Sequence, residues 1–108
     1  MTERVWKGTP IQAFEVFQKK YPNLSDTFVK LVEKTLKESE LDRKTQELII
    51  VAILAAKFEE GFKFHVQEAL RQGATKGEVL GGLLLLLPYS DIGTFFTALS
   101  WAKEEGIF

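Results

Sequence analysis

Residues 62–75 read FKFHVQEALRQGAT, and this stretch decides the register of one helix and the point at which that helix ends. At 3.6 residues per turn, His65 lies one turn from Phe62 and one turn from Ala69, on the apolar side of the helix. Gly73 stands where glycine is favoured, just past a helix C-terminus. His65 is the only histidine in the sequence. A titratable ring on an apolar stripe is therefore the first candidate for a functional group.

The segments before this stretch also have helical spacing. Thr9 is the predicted cap of a first helix that ends around Pro22, and Ser25 is the predicted cap of a second. Asp42 is expected to cap a third helix, in which residues 48–56 are apolar on every side. Such a segment is expected to be buried on every side.

The segments after this stretch continue the pattern. Thr75 and Glu78 have the spacing of a capping box, which opens a fifth helix that Pro88 should end. Ser90 or Asp91 is the predicted cap of a last helix. The alternation typical of strands is absent, so the sequence predicts an all-α fold, a compact antiparallel helical domain of about six helices.

Length and charge narrow the classes of protein. The 108 residues suit one domain over residues 1–108, with residues 1–8 as a loose arm or a segment that crosses to a neighbour. The 14 basic and 15 acidic side chains give a formal net charge of −1, so no nucleic-acid partner is expected. The start lacks the apolar core of a secretion signal, and the apolar runs are too short to cross a bilayer. We therefore expect a cytoplasmic protein that does not bind a membrane.

The sequence also limits metal and redox chemistry. It contains no cysteine, which excludes disulfides, thiolate ligands and thiol redox steps. With one histidine, only carboxylates remain as metal ligands, and their spacing matches neither a calcium loop nor a di-metal helix pair. No glycine-rich phosphate loop is present. We therefore expect neither a metal nor a cofactor.

A run of five leucines, residues 83–87, covers every side of a helix. In a small monomer few helices can be covered all round, so this run favours contact with a second subunit. The alternative is that this helix lies at the centre of the domain.

Several motifs occur in an order that resembles the carboxymuconolactone decarboxylase family, which belongs with the alkylhydroperoxidase D-like proteins. The resemblance runs from about residue 41 to residue 102. The motifs are LDRKTQELI at residues 41–49, His65, Ala69-Leu70, GAT at residues 73–75 and Glu78-Val79. The resemblance implies an alkylhydroperoxidase D-like helical fold and a homo-oligomer, often a trimer or a hexamer.

The chain departs from the family at two places. Family members with peroxidase activity carry a C-x-x-C motif whose cysteines lie four and seven residues before the histidine, where this chain has Gly61 and Phe58. Without a thiol, cysteine-dependent peroxidase activity is excluded on chemical grounds. After Tyr89, a Gly-x-Pro common in the family is replaced by Asp91 and Gly93, which leaves the substrate open.

The decarboxylase branch, which keeps the histidine without the cysteines, resembles this chain better. The resemblance implies that His65 is the general acid/base and that Glu47, in its Glu-Leu-Ile context, matches a glutamate beside that histidine. Loss of carbon dioxide from an unsaturated lactone acid requires a proton to be delivered to carbon, and imidazole suits that task. These features predict a small lyase that acts on a small organic acid or lactone. Four aromatic side chains are candidates for lining its pocket: Phe58, Phe62, Tyr89 and Trp101.

Each of these residues also has a structural interpretation. His65 could be a neutral core ring with one hydrogen bond, and Glu47 could form a surface pair with Arg43 one turn earlier. The aromatic side chains could simply pack the core. The protein would then be a non-catalytic oligomeric scaffold, or a module of the same fold that binds a small molecule.

Overall fold

A computed structural model describes residues 10–108, with side chains described from residue 12 onward. These residues contain no strand, which confirms the all-α prediction. The helices are α1 (Pro10–Lys20), α2 (Pro22–Glu38), α3 (Arg43–Leu54), α4 (Glu59–Arg71), α5 (Lys76–Leu84), α6 (Leu86–Tyr89) and α7 (Ile92–Glu104). The predictions for the Thr9 cap and for residues 1–8 lie outside the described residues.

The chain divides into two compact units, Met1–Glu38 and Ser39–Phe108. Helices α1 and α2 belong to the first unit, and α3 to α7 belong to the second. That residues 1–108 form one domain stays a prediction.

In the first unit, α1 and α2 are joined by a single residue and contact each other through aromatic rings. The centroid of the Phe14 ring lies 5.9 Å from that of Phe17 on the same helix and 6.3 Å from that of Phe28 on α2. Among the residues of α2, only Ser25 is buried. Large apolar side chains of this unit, such as Leu24 and Leu31, are exposed.

The predicted cap of α2 is wrong. The helix begins at Pro22, so Ser25 lies inside its first turn, and the Ser25 hydroxyl donates to the carbonyl oxygen of Pro22 at 3.1 Å. Proline is tolerated at the first position of a helix because the backbone N–H that it lacks would have no partner there. A proline at a helix boundary thus starts this helix, whereas the sequence pattern placed it at the end of the preceding one.

The second unit has a continuous apolar core. Helix α3 packs along α4, and α5 and α7 close the remaining sides. The buried apolar side chains of this core are Val51, Ala55, Phe62, Val66, Ala69, Ala74, Val79, Leu83, Ala98, Ala102 and Ile107. The face of α4 that carries Phe62, Val66 and Ala69 is the one that the helical spacing predicted to be apolar.

Helix α3 is shorter and less enclosed than expected. It ends at Leu54, and Ala56 adopts a left-handed conformation with φ 59°. Ile49 and Ile53 are 44% and 56% exposed, so the prediction of burial on every side is wrong within this chain. The reason is that α4 and α5 cover only part of the circumference of α3.

The predicted fifth helix is divided at Leu85 into α5 and the single turn α6. Pro88 lies inside α6 and does not end a helix, because the first turn needs no N–H from that position. Leu84, Leu85 and Leu87 of the leucine run are exposed, whereas Leu83 belongs to the core. The run therefore does not lie at the centre of the unit.

The other helix ends follow the sequence signals. Asp42 accepts a hydrogen bond from the N–H of Thr45, and Thr75 and Glu78 form a complete capping box. Asp91, rather than its neighbour, caps α7. Gly73 has φ 101°, a left-handed conformation that favours glycine and confirms the end of α4.

Candidate functional site

The predicted pair of site residues lies between α3 and α4. The Nδ1 of His65 and the Oε1 of Glu47 are 2.6 Å apart. Glu47 is 1% exposed and lies on the face of α3 that also carries Val51, one turn later and in the core. The His65 side chain is 27% exposed. A carboxylate that faces the core therefore holds a ring that reaches the surface.

Arg43 contacts the other oxygen of the same carboxylate. Its Nη2 lies 2.5 Å from the Oε2 of Glu47, and its Nη1 donates to the Oε1 of Gln46 at 2.8 Å. Gln46 is 5% exposed, and the Arg43 side chain is 39% exposed. Glu47 thus contacts both Arg43 and His65, and its pair with Arg43 is not the surface pair that the structural interpretation described, because the carboxylate is buried.

The hydrogen bond to Glu47 selects one form of the imidazole ring. An ionised carboxylate only accepts hydrogen bonds, so the ring must donate from Nδ1. In the neutral ring, Nε2 then carries the free lone pair. The ring of Phe64 meets the imidazole edge-on, with centroids 5.1 Å apart and planes at 89°. This arrangement lets Nε2 accept or deliver a proton while Nδ1 stays bonded.

Phe58 and Gly61, the positions at which the family resemblance implied cysteines in peroxidase members, contact each other. A β-carbon built on Gly61 would lie 2.6 Å from a ring carbon of Phe58. Any side chain at position 61 must therefore displace that ring. The aromatic ring occupies the space beside the helix backbone that a second side chain would need.

The remaining aromatic candidates do not share one place. Phe62 is fully buried, and its ring packs edge-on against Trp101, with centroids 5.4 Å apart and planes at 62°. Both rings support the core, as their structural interpretation stated. Tyr89 is 86% exposed and lines a groove on another part of this unit.

That groove, which we call the apolar groove, has a volume of about 310 Å³. Its walls come from α3 and from the break between α5 and α6. It is lined by Thr45, Leu48, Ile49, Ala52, Gly82, Leu85, Leu86, Tyr89 and Ser90. A second depression of about 280 Å³ adjoins it through Ala52, Leu86 and Ser90. Neither depression is lined by His65 or Glu47.

Sequence reasoning did not assign Arg43 or Gln46 to the site, and it did not find the apolar groove. The i, i+4 spacing of Arg43 and Glu47 was visible, but the burial that makes this pair a part of the site was not. The groove depends on the break at Leu85, which no proline or glycine at that position indicates.

Residues 10–108 contain neither a cluster of metal ligands nor a helix suited to a bilayer. No three side chains among His, Cys, Asp and Glu cluster there in a way that could hold a metal ion. None of the helices in that range is both long enough and apolar enough to cross a membrane.

Comparison with known proteins agrees with this helical fold. The model of the carboxymuconolactone decarboxylase family matches residues 22–104. An uncharacterized protein of Methanocaldococcus jannaschii is 32% identical over 90 residues, which cover 82% of this chain and 86% of that protein. The chain belongs to the carboxymuconolactone decarboxylase family.

Proposed function

We propose that this protein is a small lyase that removes carbon dioxide from a small organic acid or lactone, with His65 as the proton-transfer residue. The observation that carries the proposal is the 2.6 Å contact between Glu47 and His65. A buried carboxylate that orients a partly exposed imidazole from Nδ1, so that Nε2 does not bond to that carboxylate, is a common arrangement for acid/base catalysis.

The reaction assigns one role to each group. The bond between the substrate carbon and its carboxylate breaks, and the electron pair moves into the neighbouring unsaturated system as carbon dioxide leaves. The protonated ring of His65 then delivers its Nε2 proton to carbon and returns to the neutral form. A proton from solvent restores the ring, so the net change is consumption of one proton and release of carbon dioxide. Glu47 stabilises the protonated ring and keeps its orientation.

We also propose that the protein acts as a homo-oligomer, a trimer or a hexamer. The support is a set of exposed apolar side chains on the second unit, a surface that a soluble monomer rarely leaves open. These side chains are Ile49, Ile53, Leu84, Leu85, Leu87, Ile92 and Phe96. Burial of these side chains between subunits would remove their apolar surface from water and so stabilise the oligomer.

The apolar groove favours a second candidate function, a small-molecule binding module of the same fold. Its lining is mostly apolar, includes the hydroxyl-bearing residues Thr45, Tyr89 and Ser90, and does not include His65. Such a lining suits an apolar ligand with one polar end.

Carbon dioxide release distinguishes the two functions. The protein is incubated with carboxymuconolactone and with related unsaturated lactone acids, and the parent is compared with His65→Gln and with the groove variant Ala52→Leu. The lyase proposal predicts release that is lost in His65→Gln and kept in Ala52→Leu. Equal release by the parent and His65→Gln, or no release from any of these acids, contradicts it. Ligand-induced NMR shifts that Ala52→Leu abolishes would then support the binding module.

A further inference from the structure

We propose that Arg43 is a positioning residue of this site. Arg43 bonds to one oxygen of the Glu47 carboxylate and keeps this carboxylate ionised, so that its other oxygen accepts a hydrogen bond from His65. The neutral His65 ring therefore carries its proton on Nδ1 and presents Nε2 to the substrate. The use of this arrangement in catalysis rests on the proposed function, whereas the arrangement itself can be measured without turnover.

The first step of the argument is the burial of the Glu47 carboxylate. Its side chain is 2% exposed, and an ionised carboxylate at that depth is unstable unless partners satisfy both oxygens. His65 occupies Oε1 and Arg43 occupies Oε2. Each oxygen thus has one recorded partner, and the two partners come from different helices.

The second step is the permanent charge of Arg43. A guanidinium does not lose its proton in proteins, so it compensates Glu47 at every pH at which the protein is folded. If the imidazole were the only partner, the buried carboxylate would be stabilised mainly by a protonated ring. With Arg43 present, the charge of Glu47 is balanced in both states of His65. The ring can therefore gain and lose its Nε2 proton without leaving a buried charge unpaired.

The third step is that Arg43 is itself fixed in place. Its Nη1 donates to Gln46, whose side chain is buried, and the planar guanidinium thereby orients Nη2 toward Glu47. The neighbouring cation, Lys44, forms its ion pair with a different carboxylate from Glu47: its Nζ lies 3.1 Å from the Oε2 of Glu78.

Other charged groups around α4 are engaged elsewhere. Lys63 of α4 pairs with Glu104 of α7 and with Glu59 of its own helix, and these two contacts, the one with Glu104 being the larger cause, raise the pKa of Lys63. Glu68 pairs with Arg71 on the same helix, and the Glu105 carboxylate accepts a hydrogen bond from the neutral side chain of Gln67. Among residues 10–108, Arg43 is the lysine or arginine that forms an ion pair with Glu47.

The test uses the single histidine of the intact protein. Its two ring nitrogens are followed by ¹⁵N NMR through a pH titration in the parent, Arg43→Gln, Arg43→Lys and the matched control Lys44→Gln. At a pH where the parent ring is half protonated, Arg43→Gln is expected to raise the ratio of protonated to neutral ring about tenfold, because a neighbouring positive charge is removed. Lys44→Gln removes the same charge one residue away and should change this ratio by less than about twofold. The neutral parent ring is expected to carry its proton on Nδ1.

Three results would overturn the proposal: equal effects of Arg43→Gln and Lys44→Gln, no effect of either, or a neutral parent ring protonated on Nε2. If Arg43→Gln does not fold, Arg43→Lys decides. Lysine keeps the positive charge but lacks the planar guanidinium. We therefore expect the ratio of protonated to neutral His65 ring to stay near the parent value, while a larger share of the neutral ring carries its proton on Nε2. A neutral ring with the same share of Nδ1 protonation as the parent would contradict the proposal. A failed carbon dioxide assay alongside the expected NMR changes would reject the lyase and leave this role of Arg43 standing.

Discussion

The Nδ1 of His65 lies 2.6 Å from the Oε1 of Glu47, although the two residues are 18 positions apart in the sequence. The contact joins α3 to α4 where the two helices pack. The contact links the single histidine to a glutamate by a hydrogen bond. Its contribution to the free energy of unfolding can be measured without any assay of activity.

Replacing Glu47 with Gln keeps the size of the side chain and removes its charge. We expect a loss of about 1–3 kcal/mol in the free energy of unfolding, because Arg43 and His65 each lose a hydrogen bond to a charged acceptor. Urea unfolding followed by circular dichroism measures this change. Glu68→Gln is the control, since it removes a carboxylate from a pair with Arg71 that is partly exposed, and it should cost less than about 1 kcal/mol. A Glu47 variant as stable as this control would show that the buried carboxylate contributes nothing to the fold.

Adding one methyl group at Gly61 should be costly because of Phe58. A β-carbon there would lie 2.6 Å from the Phe58 ring, so Gly61→Ala is expected to be about 1–3 kcal/mol less stable than Gly81→Ala. Gly81 is also helical and has no atom within 4 Å of its would-be β-carbon. Thermal unfolding of the two variants gives the comparison.

The same clash predicts coupling between the two positions. Phe58→Ala should cost less in the Gly61→Ala background than in the parent, because the ring no longer has to be displaced. Additive effects of the two substitutions would contradict this account. For the same reason, introducing a single cysteine at position 61 should destabilise the protein more than introducing cysteines at positions 58 and 61 together.

Ala56 offers a gain in stability. Its φ of 59° lies in the left-handed region, where a β-carbon costs roughly 1 kcal/mol, so Ala56→Gly should raise the free energy of unfolding by about that amount. The neighbouring Ala55 is buried with φ −56°, and Ala55→Gly should lower it by a similar amount. Destabilisation of both glycine variants would contradict a left-handed conformation at Ala56.

The capping box of α5 should make stability depend on pH. The backbone N–H of Thr75 lowers the pKa of the Glu78 carboxyl below its usual value of 4.5, and Lys44 adds to this effect. Because the folded-state pKa lies below the unfolded one, this stabilisation is complete above the unfolded value and is lost as the pH falls through the folded value. The difference in urea midpoint between the parent and Glu78→Gln should therefore be larger at pH 7 than at pH 3.

A matched variant separates the two causes of this pH dependence. Lys44→Gln removes the ion pair and leaves the hydrogen bond from Thr75, which is the larger cause. Most of the pH dependence should remain in that variant. Its complete loss would assign the effect to the ion pair.

The proposed oligomer is tested at the leucine run. Leu84 is 55% exposed, and a charge placed there would be buried in the proposed contact between subunits. We expect Leu84→Glu to sediment as a smaller species than the parent at micromolar concentration. Gln72→Glu introduces the same charge at an exposed position just past α4 and should sediment like the parent. A folded parent that sediments as a monomer would refute the oligomer.

Local interactions explain why much of the fold could be predicted from the sequence. The caps at Asp42, Thr75 and Asp91 each involve a backbone N–H three residues away, so the residues that form them are visible as a short motif. Gly73 likewise reports its own backbone conformation. The apolar stripe of α4 follows from periodicity alone.

Boundaries that depend on competing local signals were harder to predict. Pro22 and Pro88 are each compatible with ending one helix or with lying in the first turn of the next, and both take the second role. The sequence pattern does not contain the packing energy that selects between these two roles.

By itself the sequence determined an all-helical chain, the ends of most of its helices, the absence of any thiol and the presence of one imidazole on an apolar face. Only the tertiary structure decided that the Glu47 carboxylate is buried, that Arg43 and His65 occupy its two oxygens, and that the ring of Phe58 covers Gly61. The physical reason is the separation along the chain between the groups that interact. Caps and turns are decided by backbone groups within a few residues, whereas burial and ion pairing depend on which helix faces meet, and those faces come from segments far apart in the chain.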